Sequence, residues 1–519
     1  MEELKYPIGI ETFSEIIEEG YVYVDKTEWV NTLVSKGKYY FLSRPRRFGK
    51  SLLLSTIEAF FEGRRELFDG LVISKYNHSW ERHPVFRLNF VNADTSSQEG
   101  LKSLIEAHLR KWEKIYGSPE TDLELSQRFF GVIQRAVKQT GHKAVVLIDE
   151  YDKALVSTID NQELHDTFRS ILKPVYATLK AADCYIRFAM ITGVTRFSRL
   201  SIFSDINNLK DISLNEEFAA ICGITGKEIR ETLGVGIRAF ANRNNITEEE
   251  AFEVLKANYD GYHFCADSPD IYNPFSLLNA LDDKKVGSYW FATGTPTFLI
   301  KRLRNKSGEV QDFFNRSADG TSLSSLSMSA NDITALLFQT GYLTIKSTDK
   351  LTGDYILGIP NGEVRRGIFT EMLPVFAGMG NDESHAFIHR LNHEVFSGNP
   401  QSMLESLKSF LADIPYDLSK NKPEIYFENN IYIIFRLLGF NINTEYRTSY
   451  GRIDIVLTTD DYVYVMELKL NGSANAALAQ INDKEYLLPF RKDDRKLFKI
   501  GIGFSKRTRN ISRWVIVEE

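Results

Sequence analysis

Four short apolar runs punctuate the first part of the chain: "KYYFLS" (38–43), "PVFRLNF" (84–90), "AVVLIDE" (144–150) and "YIRFAMITG" (185–193). Each has the length of a strand and is rich in β-branched or aromatic residues. Between them, stretches such as "SLLLSTIEAFFEG" and "ELSQRFFGVIQRAVKQ" repeat their apolar positions with helical period. Strands alternating with helices predict a parallel α/β sheet. From about residue 215 to 300 the pattern is helical, in "LNEEFAAICGIT", "TEEEAFEVLKANY" and "NPFSLLNALDD". Then "ANDITALLFQTGYLTIK" and "DYILGIPNGEVRRGIF" read as a helix and a hairpin turning at Asn361-Gly362, the content of a winged-helix module. The Ser-rich "SADGTSLSSLSMSAND" (317–332) ahead of them reads as a flexible connection. Helical pattern runs on to about residue 415, and Pro423 opens a compact final domain. The expected organisation is an α/β unit at 1–215, a helical unit at 216–300, a mixed region at 301–422 and a C-terminal α/β domain at 423–519.

The first run leads into "SRPRRFGKS" (43–51), which ends like a phosphate-binding loop in Gly49-Lys50-Ser51 but has Arg44 where the opening glycine belongs. Such a loop works because backbone N–H groups and a helix N-terminus converge on an anion. A strand before it and a helix after it supply the required context. Pro45 sets an alternative turn by fixing its own φ. The stretch Arg46, Arg47, Phe48, Gly49, Lys50 and Ser51 is the expected nucleotide-binding segment, with Lys50 on the β/γ-phosphates and the Ser51 hydroxyl on Mg²⁺. The third run ends in Asp149-Glu150, suited respectively to holding Mg²⁺ and to orienting or deprotonating the attacking water. Thr192-Gly193 closes the fourth run where a γ-phosphate would be sensed. Arg196 and Arg199 follow as candidates for neutralising transition-state charge, with a surface or structural ion pair as the alternative.

These motifs, with the opening "YPIGIETFSEIIEEGYVYVDKTEWV", "RPRRFGKSLLLS", "LIDEYD" and "ITGVTRFS", resemble a bacterial AAA-ATPase-like family that is itself similar to archaeal-type ATPases. An arginine at the first loop position is normal in that family, so the resemblance implies that Arg44 does not abolish ATP binding. It extends through "YDGYHF" (259–264) and "YNPFSLL" (272–278), whose aromatics are expected to pack in a helical lid.

Near the C-terminus, "GRIDIVLTTDDYVYVMELKL" (451–470) holds two strand-like runs joined at Asp460-Asp461. A tight turn there sets Asp454 opposite Glu467 and Arg452 opposite Lys469, and period-two alternation places all four on one face. The other face, Ile453, Ile455, Leu457, Met466, Leu468 and Leu470, is apolar and is expected to be the core side. Two facing carboxylates repel unless a cation lies between them, and a hard divalent ion bound by few carboxylates relieves this. Lys469 is then placed to serve a water attacking phosphorus. A quartet of cross-strand ion pairs is the alternative. Glu428 lies on the preceding helical pattern, and Ser473 caps a following one that carries Gln480.

The order helix, three strands, helix, strand, with an Asp…Glu-x-Lys pattern, resembles the PD-(D/E)XK nuclease superfamily over about 423–519. That resemblance implies a restriction-endonuclease-like fold, with Asp454, Glu467 and Lys469 in the signature positions and Glu428 and Gln480 in supplementary ones. Ile453 replaces the signature proline.

Composition adds exclusions. In 519 residues with 43% hydrophobic and 25% charged positions, no apolar run approaches a membrane span, and "MEELKYPIGIETF" lacks the pattern of a signal peptide. Cys184, Cys222 and Cys265 form no C-x-x-C pair, so a reducing, cytoplasmic setting is expected. A net charge of −6 excludes nonspecific coating of nucleic acid but allows a local basic groove. His385, His389 and His393 share a helix face with metal-ligand spacing and no evident further ligand. Taken together, these features predict an ATP- and Mg²⁺-binding ATPase fused to a metal-dependent nuclease, Mn²⁺ also serving the latter, with DNA as partner, no membrane, and a homo-oligomer left open. The rivals are a nucleotide-switched protein that binds nucleic acid without cutting it, and a signalling ATPase acting on protein.

Overall fold

The computed structural model describes residues 4–119, 123–159, 161–196, 206, 208–293, 316–323, 333–368, 381–413, 434–435, 441–448, 451–491 and 494–519. The chain divides into two compact units, one of residues 1–290 with 316–361 and the other of 291–315 with 362–519.

In the first unit the four apolar runs form β1 (Tyr39–Ser43), β2 (Val85–Asn89), β3 (Ala144–Asp149) and β4 (Ile186–Gly193). A fifth short strand, β5 (Lys210–Asp211), completes a parallel sheet of order β2-β3-β4-β1-β5. Every residue of β1 and β3 is buried, which is why these runs are continuous rather than alternating. Helices Lys50–Phe61, Gln98–Tyr116, Leu125–Thr140 and Gln162–Ala181 connect the strands.

The segment "LNEEFAAICGIT", expected as one helix, is instead a 3₁₀ turn (Glu216–Phe218) followed by β6 (Ile224–Thr225), which pairs with β7 (Ile271–Tyr272). The carbonyls of Phe218 and Ala219 accept hydrogen bonds from the Arg44 guanidinium, Phe218 also from the Ile221 N–H in a single turn. Gly223, at φ 88°, passes so close to Ile271 that a Cβ would lie 2.2 Å from it. The other two patterns of this region form helices where expected, Glu248–Tyr259 and Pro274–Asp283, each with a side-chain N-cap.

The strand β8 (Arg316–Ala318) joins a hairpin of β9 (Thr344–Thr348) and β10 (Tyr355–Gly358) in the order β8-β10-β9. The stretch read as a flexible connection therefore begins as strand and helical turn, because Asp319 accepts from the backbone N–H groups of Thr321 and Ser322. The hairpin turns at Asp349–Asp354 rather than at Asn361-Gly362, with Gly353 at φ 77°. Asn361 donates to the Asp260 carbonyl, and helix follows from residue 362.

In the second unit β11 (Asn441–Thr448), β12 (Gly451–Thr458), β13 (Tyr462–Leu470), β14 (Lys496–Ser505) and β15 (Asn510–Glu518) form one sheet in chain order. Only β13 and β14 run parallel, joined through the helix Ala474–Asp483. Helices Asn381–Phe396 and Pro400–Asp413 pack on one face around Ile455, Leu457 and Met466. The helix Ala474–Asp483 covers the other, where Gly501 permits its approach: a Cβ there would lie 2.2 Å from the Ala474 carbonyl oxygen.

Candidate functional sites

In the first unit, β1, β3 and β4 end side by side, with β4 between the other two. Open parallel sheets carry their ligands beyond this edge. Residues 44–49 leave β1 and enter the helix Lys50–Phe61 through Gly49, at φ 90°. Arg47 also takes a left-handed conformation, φ 66°. The Lys50 ammonium donates to the carbonyls of Arg44 and Pro45 at 2.9 Å each, across the mouth of the loop. Burial lowers its pKa, opposed by the carboxylates of Glu150, Asp149 and Asp152.

Arg44 answers the question its position raises. Its side chain turns away from the loop into the protein, is 1% exposed, and donates to the carbonyls of Ser43, Ser213, Phe218 and Ala219. It also lies 4.0 Å over the Phe264 ring. Burial pushes its pKa down to about 10, within the range where it stays charged at neutral pH. The opening residue of the loop is thus an internal strut.

The two aromatic motifs expected to pack in a lid hold the loop from outside. Phe48 meets Tyr262 and Phe264 edge-on at 4.9 and 5.6 Å, Arg47 sits over Phe275, and the Trp290 indole N–H donates to the Arg46 carbonyl. Phe48 is therefore a buried anchor. Beside Phe48 and Gly49 opens a largely apolar cavity of about 90 Å³, lined also by Pro7, Val22, Leu52, Ile224 and Leu278.

Asp149 is fully buried, accepting from the Thr192 hydroxyl at 2.9 Å and from Arg87 at 3.4 Å. Arg87, on β2, also pairs with Glu58 and donates to the Ser51 carbonyl, linking strand end and loop helix. Glu150 has φ 51°, a left-handed conformation that costs on the order of 1–3 kcal/mol outside glycine and recurs at functional sites. Burial raises its pKa, with Lys50 opposing. Asp152 accepts from the N–H groups of Val194 and Thr195 and fixes the exit of β4. Gly193 is required there, since a Cβ would lie 2.6 Å from both Asp152 and Tyr151. Arg196 is paired with Asp211 of β5, and its backbone N–H donates to Gln339. That is the structural pairing rather than a charge aimed at the loop. Arg199 lies outside the described residues. Arg87 and Asp152 were missed; a lone arginine inside an apolar strand was the available signal for the first.

In the second unit, β12 and β13 pair Ile455 with Met466 and Thr458 with Val463, the register expected from a turn at Asp460-Asp461. The backbone ladder ends at Ile455, and beyond it carboxylates take over. The Leu468 N–H donates to Asp454 at 2.8 Å, and the Asp454 N–H points to Glu467 at 3.5 Å. This splaying corrects one assignment: Ile453 joins the cluster of Val456, Val463 and Val465, opposite Ile455 and Leu457. Both faces of the strands are thus cores, and the acidic pair lies in the cleft where they part.

Glu467 is 1% exposed. It accepts from Lys469 at 3.3 Å and from the Gln480 amide, while Gln480 also reaches the Tyr486 hydroxyl. Tyr486, a further residue that the sequence did not reveal, donates to the Arg452 carbonyl at 2.8 Å. Burial, with the neighbouring Asp454 carboxylate, pushes Glu467 up to about 7, opposed by Lys469. Arg452 is exposed. Glu428 lies outside the described residues. The donor set, two carboxylates with an ammonium and an amide beside them, fits a hard divalent cation.

His389 and His393 are exposed on the helix Asn381–Phe396 and join no group of metal-ligating atoms among the described residues. No helix among those residues is long and apolar enough to cross a membrane.

Comparison with known proteins finds a match over each of the two regions that carry these residues. A family model described as "Predicted AAA-ATPase" matches residues 7–203, and one described as "PD-(D/E)XK nuclease superfamily" matches residues 422–514. A protein of Azotobacter chroococcum, described as "Uncharacterized protein in vnfD 5'region", is 33% identical over 530 residues, covering 99% of each chain. The chain belongs to the AAA-ATPase-like family and carries a PD-(D/E)XK nuclease superfamily domain at its C-terminal end.

Proposed function

We propose that the protein binds and hydrolyses ATP and, under the control of that nucleotide, cleaves phosphodiester bonds of DNA with a divalent metal. The observation that carries the nuclease reading is the state of Glu467, a fully buried carboxylate facing Asp454 and pushed up to about 7. Such a pair is stable at neutral pH only with a proton or a cation between its members. Asp454 and Glu467 would hold Mg²⁺ or Mn²⁺, which when bound supplies Lewis-acid stabilisation of charge on phosphorus oxygens. Lys469, one-third exposed and bonded to Glu467, holds its ammonium at the edge of that pair to orient a water or a scissile phosphate. Gln480 fixes Glu467 in place and is itself positioned by Tyr486.

In the ATPase, the left-handed turn at Gly49 directs the start of the helix Lys50–Phe61 toward the phosphates. Lys50 exchanges its two carbonyl partners for β/γ-phosphate oxygens, and the Ser51 hydroxyl and Asp149 are the groups that would hold Mg²⁺. Glu150, its pKa raised by burial, is suited to take a proton from the attacking water, and Thr192 orients Asp149. The apolar cavity beside Gly49 favours a base over a sugar or a charged group.

The test is incubation of the full chain with labelled single- and double-stranded DNA, with and without Mg²⁺ or Mn²⁺, against Asp454→Asn. Metal-dependent cleavage by the parent and none by the variant is expected. Metal-independent binding without cleavage in both would move the reading to a nucleotide-switched binding protein.

A further inference from the structure

A second cluster of metal-ligating side chains lies in the first unit, at the opposite end of the sheet strands from Asp149. His83 precedes β2, His142 precedes β3, and Glu81 sits two residues before His83; their ligand atoms all lie within 4.8 Å of one another. We propose that Glu81, His83 and His142 form a site for a borderline divalent cation, Zn²⁺ by preference, that clasps the openings of β2 and β3.

His83 is the fixed member. Its backbone N–H donates to the Phe61 carbonyl at 2.7 Å, and its ring packs edge-on against Phe61 at 5.5 Å. Its Nδ1 lies 2.8 Å from the Lys143 carbonyl oxygen, a partner that can only accept, so Nδ1 carries the hydrogen. That leaves the Nε2 lone pair free, the second-sphere arrangement that prepares a metal-binding imidazole. The His142 ring stands edge-on to it at 5.5 Å, and His142 Nδ1 is 3.7 Å from a Glu81 oxygen.

Two imidazoles and one carboxylate with a water as fourth ligand is an established zinc donor set. Tetrahedral bonds of about 2.0–2.1 Å require ligand atoms roughly 3.4 Å apart, so the cluster must contract. Glu81 and His142 can supply that movement, since their side chains are 56% and 41% exposed. The three residues flank the first rungs of the β2–β3 pair, where the Val145 N–H donates to the Pro84 carbonyl and Val85 pairs with Val145. An ion here would add a cross-link at the start of two strands that pair side by side but are separated in sequence by residues 90–143. It would do so at the edge opposite Asp149, a five-residue strand or roughly 16 Å away, so its effect is on stability rather than on the loop chemistry.

The experiment uses the full chain, freed of metal with chelator and without nucleotide, titrated with Zn²⁺ while melting is followed, and with Co²⁺ while visible absorption is followed. Asp454→Asn is the background, because it removes a ligand of the C-terminal site. In that background Zn²⁺ is expected to raise the melting temperature of the first unit, and Co²⁺ to give the intense bands of four-coordination. His142→Ala, at a half-exposed ring, should abolish both, and Glu81→Gln should weaken affinity by at least the roughly 10–100-fold that loss of an outer partner costs. An unchanged response in His142→Ala, or no response in the Asp454→Asn background, would overturn the proposal.

Discussion

Both candidate sites set a buried acid near a lysine, Asp149 at the end of β3 and Glu467 within β13, yet they hold it differently. Asp149 is surrounded by donors, the Thr192 hydroxyl and the Arg87 guanidinium, and Lys50 lies within electrostatic reach. Glu467 has Lys469 and Gln480 but also faces Asp454, and its pKa climbs to about 7. The first site is organised by the protein's own donors. The second keeps a repulsion between carboxylates that a cation would relieve, so on the proposed function both its stability and its chemistry would depend on metal.

The largest expected effect breaks the first site. Glu150→Gln should bind ATP with little change in affinity yet hydrolyse it about 10²–10⁴-fold more slowly, the usual contribution of a positioned base. Lys50→Ala should weaken binding itself. Calorimetry and phosphate release separate the two.

At the second site Asp454→Asn should lose metal affinity and cleavage together, whereas Lys469→Ala should keep metal and lose cleavage, as read by Mn²⁺ titration and a DNA gel. A cross-strand ion-pair role predicts instead that both variants are destabilised and that Mn²⁺ shifts the melting of none.

A smaller effect sharpens the contrast from the side of the loop. Arg44→Gly restores the usual loop glycine but removes the guanidinium that donates to the carbonyls of Ser213, Phe218 and Ala219. It should cost about 1.5–3 kcal/mol in urea denaturation without tightening ATP binding.

The smallest effect concerns pH. Because Glu467 binds its proton more tightly when folded, at about 7, than when unfolded, at about 4.3, folding loses stability as pH rises through that window. Metal-free Glu467→Gln should therefore gain on the order of 1–2 kcal/mol over the parent at pH 8 and little at pH 4. Mn²⁺ should close the gap by stabilising the parent. Melting curves at the two pH values measure it.

The legible part of this protein is local. Four of the five strands of the first sheet declared themselves by short, mostly apolar runs, and the β12–β13 register by a turn whose position fixes every partner. Lys50, Asp149 and Glu150 followed from spacing on those elements. What escaped depends on approaches between distant segments. The direction of Arg44 is set by carbonyls more than 160 residues away. Arg87 matters only because β2 lies beside β3, and Tyr486 only because the helix Ala474–Asp483 folds back over the sheet. The faces of β12 misled at Ile453 because alternation assumes an intact ladder, and the ladder ends where the acids stand.

The central claim, that the nucleotide state governs cleavage, is tested most directly by one rate. Initial cleavage of labelled DNA in Mg²⁺ should be measured for Glu150→Gln, which holds ATP unhydrolysed, with ATP, with ADP and with no nucleotide. The account predicts that the ATP-bound rate differs from the other two, by a differential fit of ATP to two conformations of the chain. Equal rates in all three conditions would contradict it and leave two independent enzymes on one chain.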